Sequence, residues 1–248
     1  PAYLIDTVDL DFSIETGSTV VKSTLAMRRN PAAATQALVL NGEELETLNV
    51  AVDGQNVEFL VADNHLTIEN LPEQFTLQTV VRIQPDRNTR LSGMYRSKDG
   101  YFTQCEAQGF RHITWFLDRP DVMSTYTVTL HADKAAFPVL LANGNPVAQG
   151  DEADGRHWAK WQDPFRKPAY LLAIVAGKLD VLTDTFQTAS GRTVQLAIYV
   201  EPGKLDQCPH AMEALKKSMK WDEERFGLEC DLDHYMIVAV GDFNMGAM

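Results

Sequence analysis

Cysteine is scarce. Cys105, Cys208 and Cys230 are the only three in 248 residues, at wide and irregular spacing. That excludes a disulfide framework, and none of them has the CxxC spacing of a structural zinc site. Long apolar runs are also missing. The longest, Tyr170 to Ala176, has the length of a strand, whereas a helix needs roughly 20 apolar residues to cross a bilayer. No membrane partner is therefore expected. The opening Pro1-Ala2-Tyr3-Leu4 has no basic region followed by an apolar core, so it does not read as a signal peptide. Reduced thiols predict a cytoplasmic setting. Positive charge is in deficit too, with 22 Lys and Arg against 34 Asp and Glu, a formal net charge of −12. Such a surface repels phosphate backbones, which argues against a nucleic-acid partner.

Complete catalytic patterns are absent as well. The residues after the six histidines are Leu66, Ile113, Ala132, Trp158, Ala211 and Tyr235, so no HExxH occurs. There is no GxSxG elbow and no phosphate-binding GxxxxGK[ST] loop. No catalytic residue and no metal site are expected within these 248 residues. A Cys105–His112 pair is conceivable chemistry, but a buried free cysteine is more often inert packing.

What is present reads first as β-structure. Val8, Leu10, Phe12 and Ile14 alternate with polar residues, and Val21, Leu25 and Met27 repeat the pattern after a turn at Gly17. A period of two marks a strand with one buried face. Further strands are predicted over 37–40, 48–52, 57–61, 65–68 and 75–83. Asn41-Gly42, Asp53-Gly54, Asp63-Asn64 and Leu71-Pro72 punctuate them as turns. Asn143-Gly144 within 139–147 predicts a hairpin. Many short strands at this spacing suggest an antiparallel sandwich or saddle.

The character changes near Gly177. Two strands are expected around Val181 and over 194–200. One helix follows, with Pro209 in its first turn, Met212, Leu215, Met219 and Phe226 at helical spacing, and Gly227 placed to stop it. Lys216, Lys217, Lys220, Asp222, Glu223 and Glu224 read as its solvated face. The apolar run Met236 to Val240 fits a buried central strand. A boundary is thus expected near residue 178. A chain that stops just past a buried strand also suggests a longer protein continuing beyond Met248.

Two clusters carry candidate chemistry. The first is Thr103-Gln104-Cys105-Glu106-Ala107-Gln108-Gly109-Phe110-Arg111-His112-Ile113-Thr114, with Leu117-Asp118-Arg119-Pro120-Asp121 just after it. It is either a turn braced by local ion pairs or a site where Glu106 grips a cation. The second is Asn244-Met245-Gly246-Ala247-Met248, a plain turn or a place where a ligand approaches the backbone closely.

In order, these strings resemble the bacterial aminopeptidase N family of zinc metallopeptidases. The matching pieces are TQCE at 103–106, GFRHIT at 109–114, LDRPDV at 117–122, ANGN at 142–145, GRHW at 155–158, WQDPF at 161–165 and MKWDEERFGLE at 219–229. Of the family's GAMEN motif only Gly246-Ala247-Met248 is here. The resemblance runs over essentially the whole chain. It implies a mainly β fold: a saddle-like antiparallel β-sandwich domain over 1–178, then the opening α/β part of a thermolysin-like catalytic domain over 179–248, cut before its zinc motif. It further implies that Glu106 binds the free α-amine of a peptide substrate. Gln104 would line the pocket for the first side chain, and Met245 would cushion that side chain. The backbone at Gly246 and Ala247 would hold the substrate chain. Peptides with a free N-terminus and the rest of the aminopeptidase chain are the implied partners. Zinc belongs to the full-length parent, and none is expected here. The alternatives are a non-catalytic β-sandwich binding module and a sister zinc enzyme, such as an epoxide hydrolase with aminopeptidase activity. The TQCE and LDRPDV strings fit the bacterial aminopeptidase better.

Overall fold

The structure is a computed structural model that describes residues 1–34 and 37–241. It divides into two compact units. The first comprises Pro1–Asn143 and Val147–Gly177, apart from 35 and 36, and the second Gly144–Pro146 and 178–241.

The first unit is all β. Its strands are β1 (Tyr3–Glu15), β2 (Ser18–Arg29), β3 (Leu38–Asn41), β4 (Glu46–Val52), β5 (Gln55–Asn56), β6 (Leu60–Ala62), β7 (His65–Ile68), β8 (Gln74–Ile83), β9 (Gly93–Ser97), β10 (Gly100–Gln104), β11 (Ser124–Asp133), β12 (Val139–Ala142), β13 (Asn145–Asp151), β14 (Arg156–Lys167) and β15 (Ile174–Gly177). An eight-stranded sheet runs β13-β14-β11-β1-β2-β8-β4-β5. A four-stranded sheet runs β12-β15-β10-β9, and a three-stranded one β3-β7-β6. The alternation read from the sequence is the burial pattern: Val8, Leu10, Phe12, Ile14, Val21 and Leu25 are all at most 1% exposed. The same period carries Thr19, Ser23 and Thr79 into the core despite their hydroxyls. Thr79 Oγ1 meets Thr114 Oγ1 at 3.2 Å.

Three details depart from expectation. The sheets are not wholly antiparallel, because β1 pairs β11 in parallel, Leu10 opposite Val128. Of the strand expected over 57–61, only Leu60 and Val61 form one, in β6, and 57–59 lie between β5 and β6, which belong to different sheets. And Asn143-Gly144 does not close a hairpin. Gly144 takes the turn conformation, φ 91°, but β12 pairs with β15 while β13 pairs with β14, so the turn passes the chain between sheets. A turn signal fixes the reversal locally, and sheet contacts choose the partners.

The second unit has β16 (Asp180–Gln187), β17 (Thr193–Val200), α1 (Pro209–Phe226) and β18 (His234–Ala239). The sheet order is β16-β17-β18, with β17 and β18 parallel. Val194, Leu196, Ile198 and Val200 share one strand face and form a core with Met212, Leu215 and Met219 of α1. Phe226, expected on that stripe, is exposed instead and packs edge-on against Trp221. β18 lies at the sheet's end rather than its centre, and its residues are only partly buried. α1 begins at Pro209, whose missing N–H costs nothing in a first turn. It ends at Gly227, left-handed at φ 65°, whose N–H donates to Glu223 O. A Cβ at Gly227 would meet nothing within 4 Å. Gly227→Ala should therefore cost only the dihedral strain, about 1–2 kcal/mol, read as a small loss in thermal unfolding. A larger loss would mean Gly227 also packs. Among the described residues, no helix is long and apolar enough to cross a membrane.

Candidate functional site

The site is built where β10 ends. β9 and β10 pair antiparallel, with Gln104 opposite Gly93, and all five residues of β10 are buried. Thr103 anchors the strand end: its Oγ1 accepts from the Ile174 N–H at 2.8 Å. The chain then leaves the sheet in a tight turn. The Gly109 N–H donates to Cys105 O at 2.7 Å, which closes the turn, and a short 3-10 helix over Phe110–His112 follows. Glu106 sits on that turn, exposed, and its peptide bond to Ala107 is cis.

The charged residues around the turn are paired. Asp118, 3% exposed, accepts from the Arg111 backbone N–H at 3.2 Å and from its Nε at 3.0 Å. Burial pushes the Asp118 carboxyl above the usual carboxylate range, although Arg111 pulls it back part of the way. Glu43 lies 3.7 Å from both Arg111 and His112. Arg119 forks onto Asp121 at 2.8 and 2.7 Å. Arg119 holds the Asp121 carboxyl below its ordinary range. So the ion-paired brace is present, and Glu106 stands outside it: among the described residues its carboxylate enters no ion pair. Gln104 is 2% exposed. Its Nε2 donates to Glu106 O at 3.3 Å, whereas its Oε1 is buried without a donor among the described residues. A buried acceptor without a partner costs roughly 1–3 kcal/mol.

Glu106 thus presents an exposed carboxylate on the turn, and its backbone O holds the Gln104 amide. Cys105 contributes nothing nucleophilic. It is fully buried, and desolvation, with the charge of Asp118, pushes its thiol above the ordinary range. Met245, Gly246 and Ala247 lie outside the described residues, so Gln104 and Glu106 are the two sequence-predicted site residues that the structure brings together. Among the described residues, no group of three or more His, Cys, Asp or Glu is arranged to hold a metal ion. Sequence reasoning placed Gly109 within the first cluster without giving it a role and passed over Gly93, and a Cβ on either would run into the backbone around the turn.

Comparison with known proteins agrees on one family. Residues 5–171 match the Peptidase M1 N-terminal domain. The chain is 53% identical to aminopeptidase N of Escherichia coli over 249 residues, covering 100% of this chain and 28% of that protein. Aminopeptidase N of Caulobacter vibrioides is 50% identical, covering 99% and 29%. The crystal structure of Legionella pneumophila aminopeptidase A in complex with aspartic acid superposes with a TM-score of 0.93 at 31% identity, over 99% of this chain and 29% of that one. The chain therefore spans under a third of the length of the relatives it matches.

Proposed function

Since the chain belongs to the peptidase M1 family through its N-terminal domain, we propose that it is the front part of a bacterial, cytoplasmic zinc aminopeptidase that removes N-terminal residues from peptides. In this reading 1–178 is the N-terminal domain and 179–248 opens the catalytic domain. The zinc ligands and general base belong to the rest of the protein, and the 248 residues alone turn over no peptide. Glu106 anchors the substrate's α-ammonium. Gln104 lines the first side-chain pocket. Met245 would cushion that side chain, and the backbone at Gly246 and Ala247 would hold the peptide.

The observation that carries the reading is the charge pattern: Arg111, His112, Asp118, Arg119 and Asp121 are all paired, and Glu106 is not. Exposed as it is here, its attraction to an ammonium is worth at most about 1 kcal/mol. Selection for a free N-terminus therefore needs the rest of the protein to exclude water around it. The names of the relatives, aminopeptidases throughout, favour this reading over a binding module. In the longer protein, Glu106→Ala should lower kcat/KM for an aminoacyl anilide by about 10- to 100-fold, the worth of a hydrogen bond to a charged group. Unchanged kinetics would remove Glu106 from the site.

A further inference from the structure

The turn bearing Glu106 is held by a contact that no side chain makes. Gly109 has φ −82° and ψ −16°, a conformation open to any residue, so glycine is not required there by its dihedrals. It is required by space. A Cβ at Gly109 would lie 2.5 Å from Gln104 O, 2.9 Å from Cys105 Cα and 2.9 Å from Gly93 N. All three are backbone atoms and cannot rotate aside. Likewise, a Cβ on Gly93, which is left-handed at φ 77°, would lie 2.6 Å from His112 Cβ and 3.1 Å from Gly109 O. The two glycines interlock the end of β10, the start of β9 and the exit of the turn. Just beyond, Asp118 holds the Arg111 backbone N–H and guanidinium. Both ends of the turn are thereby fixed.

We infer that Gly109 and Asp118 are positioning residues. They hold the exposed Glu106 carboxylate where an ammonium is to meet it, Gly109 by close backbone contact and Asp118 by anchoring the helix after the turn. The inference rests on the reading of Glu106 as the amine anchor. Relieving a 2.5 Å overlap to ordinary contact at 3.4 Å moves one side of the turn by roughly an ångström. A misplacement of about 1 Å can cost about 100-fold where a group must meet its partner in one geometry.

The test uses the longer protein and competitive inhibition by two compounds, L-leucinamide and 4-methylpentanamide, which differ only in the α-amine. Gly109→Ala should weaken leucinamide by about 10- to 100-fold and 4-methylpentanamide by less than about twofold. Asp118→Asn keeps the volume and should act in the same direction, by about fivefold, the worth of an ordinary hydrogen bond. Gly150→Ala is the strain control: its Cβ would meet Trp158 Nε1 at 2.9 Å, and it should leave the ratio of the two inhibitors unchanged. A purely structural role would lower stability in all three without moving that ratio. Glu106→Gln separates the two readings. If it weakens leucinamide selectively while Gly109→Ala and Asp118→Asn do not, the positioning role is overturned and the amine anchor stands. If it changes neither inhibitor, the amine anchor itself falls. Should Gly109→Ala yield no folded protein, the inhibitor ratio of Asp118→Asn decides.

Discussion

Lys167→Met is expected to lower stability by about 3–5 kcal/mol. Lys167 ends β14 at 8% exposure, and its Nζ bonds the equally buried Asp163 Oδ2 four residues earlier. A strand does not normally fold four residues back on itself. Here the register slips between Ser124 and Tyr126 of β11, opposite Lys167 and Asp163. Pro164, with no N–H for the ladder, sits inside the slip, and Asp163 Oδ1 caps it by accepting from the Phe165 N–H at 3.1 Å. The ammonium also lies 5.0 Å over the Tyr126 ring. Removing the lysine leaves a carboxylate buried without its cation, and that is the costly event. Removing both charges is not, so Asp163→Leu combined with Lys167→Met should recover most of the loss. Urea unfolding of the two variants distinguishes the cases. A loss under about 1 kcal/mol for the single variant would show that water reaches the pair.

The pH dependence has a definite sign. Burial holds the Lys167 ammonium below lysine's ordinary 10.5, with Asp163 opposing part of that shift. The folded site thus binds its proton less tightly than the unfolded chain does. Stability should rise with pH from the folded-state pKa up to the ordinary value. Comparing natural protein with Lys167→Met across mildly alkaline pH isolates this contribution, which the variant must lack.

Phe12→Ala should cost about 3–5 kcal/mol. Phe12 is fully buried on β1, flanked by Val21 on β2 and Leu130 on β11. β1 is a central strand of the eight-stranded sheet, with neighbours fixed on both sides, so the cavity left by the ring cannot easily collapse. Urea unfolding again gives the measure. A loss below about 2 kcal/mol would mean that the neighbouring strands close over the site, the low end of such substitutions.

How far the sequence reached can be judged from particular residues. α1 was legible from end to end, because Pro209 and Gly227 act through their own backbones and the Met212–Leu215–Met219 stripe is a local periodicity. The buried faces of β1 and β2 were legible for the same reason, since alternation names the side that faces the core. Glu106 and Gln104 were visible as an unusual string, and their meaning came from resemblance. Partnership was not legible. Asn143-Gly144 announces a reversal, yet only the sheets decide that β12 and β13 pair elsewhere. Thr19, Ser23 and Thr79 look like surface residues until the strand period carries them inward. Asp163 and Lys167 look like solvated charges until a register slip buries them together. Gly93 and Gly109 stand sixteen positions apart, each unremarkable alone, and their interlock exists only through space. Local dihedral preference and period are written in adjacent residues. Which strand lies beside which, and how closely two backbones approach, depends on contacts between distant segments, and the tertiary structure alone settled those.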